Sequence, residues 1–294
     1  MNKNPFFAKA VSALVLFSLV FTVFSTAIYA APTSSDRAIR DTEISHYEAI
    51  PLYYGDRLSV DARLINGVTY VPLRAFASAI TSVTVTWNAI ARRATLSANG
   101  LSLVSTDGGC YITANGRYLY HDSPAVVLSN GTLYVPVRPL AKAFGVTVVW
   151  DGYTRSVILK GSYAPILSGD AYYDADEVYW LSRIISAESR GEPFLGQIAV
   201  GNVVLNRVRS PQYPNTIYGV IFDRKYGTQF SPVSIGTIYR SPYYLSVIAA
   251  KICLEGTTVD DEILFFYEPS KSTSNWIANN RPYAFTIGNH RFYK

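Results

Sequence analysis

Cysteine, histidine and charge are all scarce in this chain. Its 294 residues include two Cys, three His and one Met. With only Cys110 and Cys253, no disulfide framework can stabilise the fold, and neither cysteine has metal-ligand spacing. His46, His121 and His290 stand far apart, so a zinc peptidase or amidase lacks its ligands. No His-Glu-x-x-His pair, nucleophile elbow, phosphate-binding loop or dinucleotide fingerprint occurs, and no cofactor is implied. Charged residues make up only 16% of the chain. Its formal charge of +5 includes Lys3 and Lys9 and comes without a Lys/Arg cluster, which argues against a nucleic-acid partner.

The chain is 49% hydrophobic and long enough for two or three domains of ordinary size. Its long apolar run is confined to Ala10–Ala31, behind Lys3 and Lys9. Residues 1–30 therefore read as a secretory signal peptide cut after Ala30 or Ala31. The run could also span a bilayer if left uncut. Cleavage predicts an exported chain with no stable membrane insertion.

An internal repeat organises the β-rich stretch beyond this run. Asn66-Gly-Val-Thr-Tyr-Val-Pro-Leu-Arg74 matches Asn130-Gly-Thr-Leu-Tyr-Val-Pro-Val-Arg138, and Val83-Thr-Val-Thr-Trp87 matches Val146-Thr-Val-Val-Trp150. Each copy predicts a turn, a short strand ending in Val-Pro, a helix of about two turns, and an alternating hairpin. Tyr54-Gly55 and Asn115-Gly116 predict a further hairpin upstream of each copy. Trp87 and Trp150 are expected in the core. Residues 44–162 resemble the N-terminal domain of copper amine oxidases, a module of exported bacterial proteins. With His46 and His121 alone in that span, the resemblance implies a structural or wall-associating role rather than copper binding. Ser162–Tyr173 reads as a linker.

Helical periodicity takes over at Asp174. Val178, Leu181, Ile184, Ile185 and Glu188 recur at spacings of three and four, along one helix face. The apolar stripe thus runs into a carboxyl group, just before Gly191 and Pro193 end the helix. Desolvation and the negative end of the helix dipole both disfavour its ionised form. A carboxylic acid held protonated near neutrality is what glycosidic cleavage requires. A salt bridge to Arg183, Arg190 or Arg207 is the plainer alternative. Gly201, inside the next helix, is expected to allow close helix contact. Tyr283–Tyr293 reads as a hairpin turning at Gly288-Asn289.

Ala187-Glu-Ser-Arg-Gly-Glu-Pro193, Leu205-Asn-Arg-Val208, Gln229-Phe-Ser231, Phe266-Tyr-Glu-Pro269 and Thr286-Ile-Gly-Asn-His-Arg-Phe-Tyr293 occur in that order. Together they resemble the catalytic domain of spore cortex-lytic enzymes and related bacterial cell-wall hydrolases, over residues 174–294. The resemblance implies a mostly helical, lysozyme-like fold, with Glu188 as the single catalytic glutamate acting on glycan strands of peptidoglycan or spore cortex. It further implies lytic transglycosylation, in which the sugar's own 6-hydroxyl closes to an anhydro end. Ser189 and the β-rich repeat in front depart from the family's usual pattern.

A hydrolytic muramidase or glucosaminidase of the vegetative wall would need a second carboxylate, with Glu192, Asp223, Asp260 and Asp261 available. A non-catalytic wall-binding protein is the third reading. Glu192, Gln229, Tyr267, Trp276, Asn279 and Tyr283 are the candidate substrate-lining residues. Phe230 and Phe266 are expected in the core, and His290 is expected to be structural. The overall expectation is an α+β chain: a duplicated β-rich module, then a mostly helical domain closing in a C-terminal β-hairpin. Its place would be the cell wall, the spore cortex region or the exterior.

Overall fold

The computed structural model describes residues 47–225, 227, 229–272 and 274–294. The N-terminal apolar run, and with it the signal-peptide reading, lies outside them. Among the described residues no helix is long and apolar enough to cross a membrane.

The repeat sets the architecture of the β-rich part. Strands Val68–Pro72 and Leu133–Pro136 pair antiparallel, with Val71 opposite Val135 and Tyr70 opposite Pro136. Equivalent residues thus face one another, and the two copies are related by a local two-fold. Behind each proline a helix begins, α1 (Leu73–Ile80) and α2 (Val137–Ala143). Proline suits that position because the first helical turn leaves its N–H groups unbonded anyway. Each helix leads to a hairpin, Val83–Asn88 with Arg93–Ala98 and Thr147–Asp151 with Ser156–Lys160. The first grows into a five-stranded antiparallel sheet, and the second takes Leu52–Tyr54 as a parallel neighbour. The Asn66-Gly67 and Asn115-Gly116 turns place all four residues at positive φ, as tight hairpins require.

Two expectations need correction here. Trp87 and Trp150 are 44% and 39% exposed. Each lies toward the end of a hairpin strand at a sheet edge, beyond the core that Leu96, Leu103, Leu140 and Phe144 fill. Ser162–Tyr173 is not a free linker but a strap packed on the β-rich part. Ala164 N–H donates to Phe144 O (3.0 Å) and Gly169 N–H to Asn115 O (2.7 Å). Asn115 Nδ2 donates to Ile166 O at 2.9 Å. A side chain at Gly145 would collide with the Ala164 carbonyl. The strap ends in a single helical turn, α3 (Gly169–Tyr172).

The helical part continues with α4 (Ala175–Ser189), α5 (Phe194–Arg209), α6 (Ile217–Phe222), α7 (Ser231–Ser234), α8 (Tyr244–Leu254) and α9 (Trp276–Asn280). Asp174 caps α4 by accepting from Asp176 N–H and Glu177 N–H. Leu181, Ile184 and Ile185 of α4 are fully buried with Val200 and Val203 of α5 and Ile252 of α8. Gly201 makes that contact possible: a Cβ there would sit 2.7 Å from Cys253 Sγ and 2.9 Å from Ile185 Cδ1. A three-stranded sheet closes the chain, Phe265–Tyr267 beside His290–Tyr293 beside Tyr283–Ile287, with Gly288 at a φ of 58° in the turn.

One carboxylate joins the two parts. Glu255, just past α8, accepts from Arg117 Nε and Nη2 at 2.7 Å each. It also accepts from Lys142 Nζ at 2.9 Å and Tyr173 Oη at 2.8 Å. These donors come from a β-strand, α2 and the strap, and beside this node Tyr111 packs on Phe194 of α5 with ring centroids at 6.2 Å.

Candidate active site

Glu188 occupies the last turn of α4, where the buried stripe of that helix meets solvent. It is half-buried, and among the described residues no group hydrogen-bonds its carboxyl. Burial pushes this carboxyl up to about 7, opposed by the positive charge of Arg207. The salt-bridge alternative fails for the other two cations. Arg183 stacks on Tyr179 at 3.6 Å, and Arg190 lies 5.1 Å from the Tyr243 ring.

Arg207 is a buried cation of α5, only 5% exposed. Its Nε donates to Leu264 O at 2.8 Å, while Nη1 is buried without a partner. The guanidinium lies 5.0 Å from the Tyr213 ring, 5.1 Å from Phe230 and 5.5 Å from Phe265. Burial works against its charge; Tyr213, Asp223 and Glu188 favour it. Asn206 fixes the same region by donating to Asp260 O and Ile263 O. The Asn-Arg pair of α5 thereby anchors the segment that leads into strand Phe265–Tyr267.

Of the possible second carboxylates, Asp223 alone shares Arg207 with Glu188. Asp260 lies 3.6 Å from Lys294, and Asp261 is exposed. Glu192 is committed elsewhere: its Oε2 accepts from Asn289 N–H (2.8 Å) and its Oε1 from Asn289 Nδ2 (3.1 Å). It clamps the tip of the C-terminal hairpin.

The same hairpin corrects the picture of His290 as a lone histidine. Ligand atoms of Glu192, Glu268 and His290 lie within 4.8 Å of one another, and these residues could hold a cation. His290 is buried with Nδ1 unpartnered, and burial lowers its pKa, keeping the imidazole neutral and free to ligate. Lys271 already offsets Glu268 at 2.7 Å.

The expected lining residues separate into two groups. Tyr267 and Tyr283 flank Tyr293, with ring centroids at 5.7 and 5.6 Å. Phe265 shares their face by strand alternation and stacks under Arg281 (4.5 Å), which lies 5.4 Å from Trp276. Trp276 and Asn279 are both exposed on α9. These residues make a polar-aromatic surface that reaches Arg207 through Phe265. Glu192 is engaged instead at the hairpin tip, and Gln229 lies in the loop ahead of α7. Gln229 donates to Gly227 O at 3.3 Å, and its neighbour Phe230 faces Phe266 in the core. Arg207, one of three cations the sequence offers to Glu188, is the one whose charge acts on that carboxyl, and its place between Val203, Val204 and Val208 signals its burial.

Residues 191–293 match the cell wall hydrolase family, and residues 53–159 match the copper amine oxidase N-terminal domain family. Glu188 lies three residues ahead of the family match, which begins at 191. The chain is similar to the spore cortex-lytic enzyme of Bacillus cereus, 38% identical over 122 residues, covering 42% of this chain and 46% of that protein. The Bacillus subtilis spore cortex-lytic enzyme is 35% identical over 120 residues, covering 41% and 38%. The chain thus spans less than half the length of these relatives. Among solved structures, the catalytic domain of the germination-specific lytic transglycosylase SleB from Bacillus anthracis is 36% identical. It aligns over its full length with 44% of this chain, at a TM-score of 0.38.

Proposed function

We propose that this protein cleaves the glycan strands of peptidoglycan as a lytic transglycosylase, with spore cortex as its substrate and Glu188 as its acid and base. The observation that carries the reading is the carboxyl of Glu188, raised to about 7 by burial beside a buried arginine. Near neutrality such a group is populated in both protonation states, so one residue can give a proton and take one back.

Protonated Glu188 donates to the glycosidic oxygen, and the bond from that oxygen to the muramic C1 breaks. The Arg207 guanidinium stabilises the carboxylate that this leaves, without a direct hydrogen bond that would lock it ionised. The carboxylate then accepts the proton of the same sugar's 6-hydroxyl as that oxygen bonds to C1. The product ends in a 1,6-anhydro ring, and Glu188 is again protonated. No water is consumed and no second carboxylate is needed. Tyr283, Trp276 and Asn279, all exposed, and half-buried Tyr267 would carry the strand, since aromatic faces suit sugar rings.

Asp223 supports one competing reading. It shares Arg207 with Glu188, so a water held by Asp223 would turn the reaction into hydrolysis. Mass spectrometry of fragments from purified cortex and from vegetative peptidoglycan separates these readings, with Glu188→Gln as control. Anhydro ends lost in the mutant support the lytic route, whereas reducing ends, one water heavier, would replace it with hydrolysis. Equal release by both proteins, or none, would overturn the enzymatic reading. Reading the N-terminal 30 residues as an export signal supports action outside the cytoplasm.

A further inference from the structure

The two copies of the β-rich repeat have diverged at one arginine. In the first copy, Arg74 Nη2 donates to Val85 O at 3.1 Å, tying the helix start to the hairpin behind it. Its counterpart Arg138, at the same place in α2, has no partner among the described residues and is exposed. Arg138 instead lines a cavity of about 580 Å³, within the range of small-ligand sites.

The walls of this cavity come from both copies and from the segment between them. Val68 enters from the first copy, Val148 and Trp150 from the second, and Tyr120, His121 and Asp122 from the connecting stretch. Trp150, 39% exposed, is part of the wall. His121 donates from Nδ1 to Ser123 O at 2.7 Å, and burial lowers its pKa to about 4, so it is a neutral wall. The charges at the site are Arg138 and Asp122, both exposed, with no ion pair between them.

This chemistry selects among wall components. The wall joins a valine and proline side to polar groups of Thr69, Tyr120 and Ser123, and a neutral sugar chain would leave the Arg138 and Asp122 charges without ionic partners. A short peptide with methyl side chains fills such walls favourably, and its carboxylate can take a forked bond from a free guanidinium. We infer that the cavity between the two repeat copies binds the short acidic stem peptide of peptidoglycan, with a peptide carboxylate on Arg138 and an amine facing Asp122. The wall as the source of this peptide rests on the function proposed above; the peptide-binding chemistry rests on the cavity alone. The β-rich part would then read the peptide while the helical part works on the glycan.

The test is titration calorimetry of the exported chain carrying Glu188→Gln, with a synthetic stem tetrapeptide of alanine, γ-glutamate, diaminopimelate and alanine. A peptide-free oligomer of N-acetylglucosamine serves as the competing probe. The expected result is saturable peptide binding, weakened at least tenfold by Arg138→Ala and unchanged by Arg74→Ala. Equal peptide affinity with and without the Arg138 guanidinium would overturn the proposal. So would binding of the sugar oligomer alone, weakened by Trp150→Ala. Glycan cleavage is scored separately, on peptide-stripped glycan with Glu188 restored. Cleavage without peptide binding defeats the cavity proposal and leaves the function standing. Arg138-dependent peptide binding without cleavage does the reverse.

Discussion

Glu188 and Arg207 oppose one another across the end of α4. The acid is raised toward neutrality by burial, and the guanidinium, itself buried, holds that rise in check. Removing the carboxyl while keeping its shape tests the acid directly. Glu188→Gln should cut fragment release from peptidoglycan by about 10²–10⁴-fold, the span usual for losing a general acid, while binding to the insoluble wall is retained.

The same substitution has a stability consequence with a definite sign. The folded carboxyl titrates near 7 rather than 4.5, so folding favours its protonated form. The penalty for ionising it in the folded state is absent below about 4.5. It grows as pH rises and is complete above about 7, at roughly 3 kcal/mol. Glu188→Gln should therefore raise the melting temperature at pH 8 and leave it nearly unchanged at pH 4, as thermal scans at the two pH values will report. An active site that becomes more stable when inactivated is a known trade-off.

The alkaline limb of the pH–rate profile should track the same group. If Glu188 must start protonated, kcat/KM falls as pH rises through about 7. Arg207 lowers the Glu188 value, so Arg207→Met should move that fall to higher pH. A pH–rate profile of the two proteins checks this, and an unshifted profile would separate the two residues functionally.

Gly201→Ala tests the helix contact. Helix propensity favours alanine by about 1 kcal/mol, yet the added methyl would meet Cys253 Sγ at 2.7 Å and Ile185 Cδ1 at 2.9 Å. Overpacking of that kind costs about 1–3 kcal/mol. A net fall in stability to denaturant is expected, whereas a rise would mean that α5 and α8 separate easily.

Glu255→Gln tests the junction. The Arg117 and Glu255 side chains are 7% and 2% exposed, and leaving such a cation unpaired costs about 3–5 kcal/mol. The Glu255 carboxyl titrates below its ordinary value: burial raises it, but its bonds to Arg117, Lys142 and Tyr173 outweigh that. Its contribution is present above about 4.5 and is lost as pH falls through the lowered value. Calorimetry of the variant should separate one unfolding transition into two.

Sequence periodicity reached much of this arrangement because the relevant signals are local. The Asn-Gly turns, the Val-Pro strands and the stripe ending at Glu188 each depend on neighbours within a few residues. Trp87 and Trp150 were misread because alternation says which face a residue takes but not where the sheet outruns its core. The bonds that make Ser162–Tyr173 a strap go to Asn115 and Phe144, too far away in sequence for a local pattern to reveal. Glu192 and His290 were each legible, but their meeting depends on a hairpin folding back by about a hundred residues, which no window reveals. Arg207 is legible as a cation available to Glu188, and the valines around it signal its burial, since a cation in a buried helix needs a partner.

The strap has a consequence for how such a chain would move along its substrate. With Ala164, Ile166 and Gly169 bonded to the β-rich part and Glu255 locking the far side, the two parts keep a fixed separation. A strand gripped by one part would meet Glu188 of the other at a constant offset.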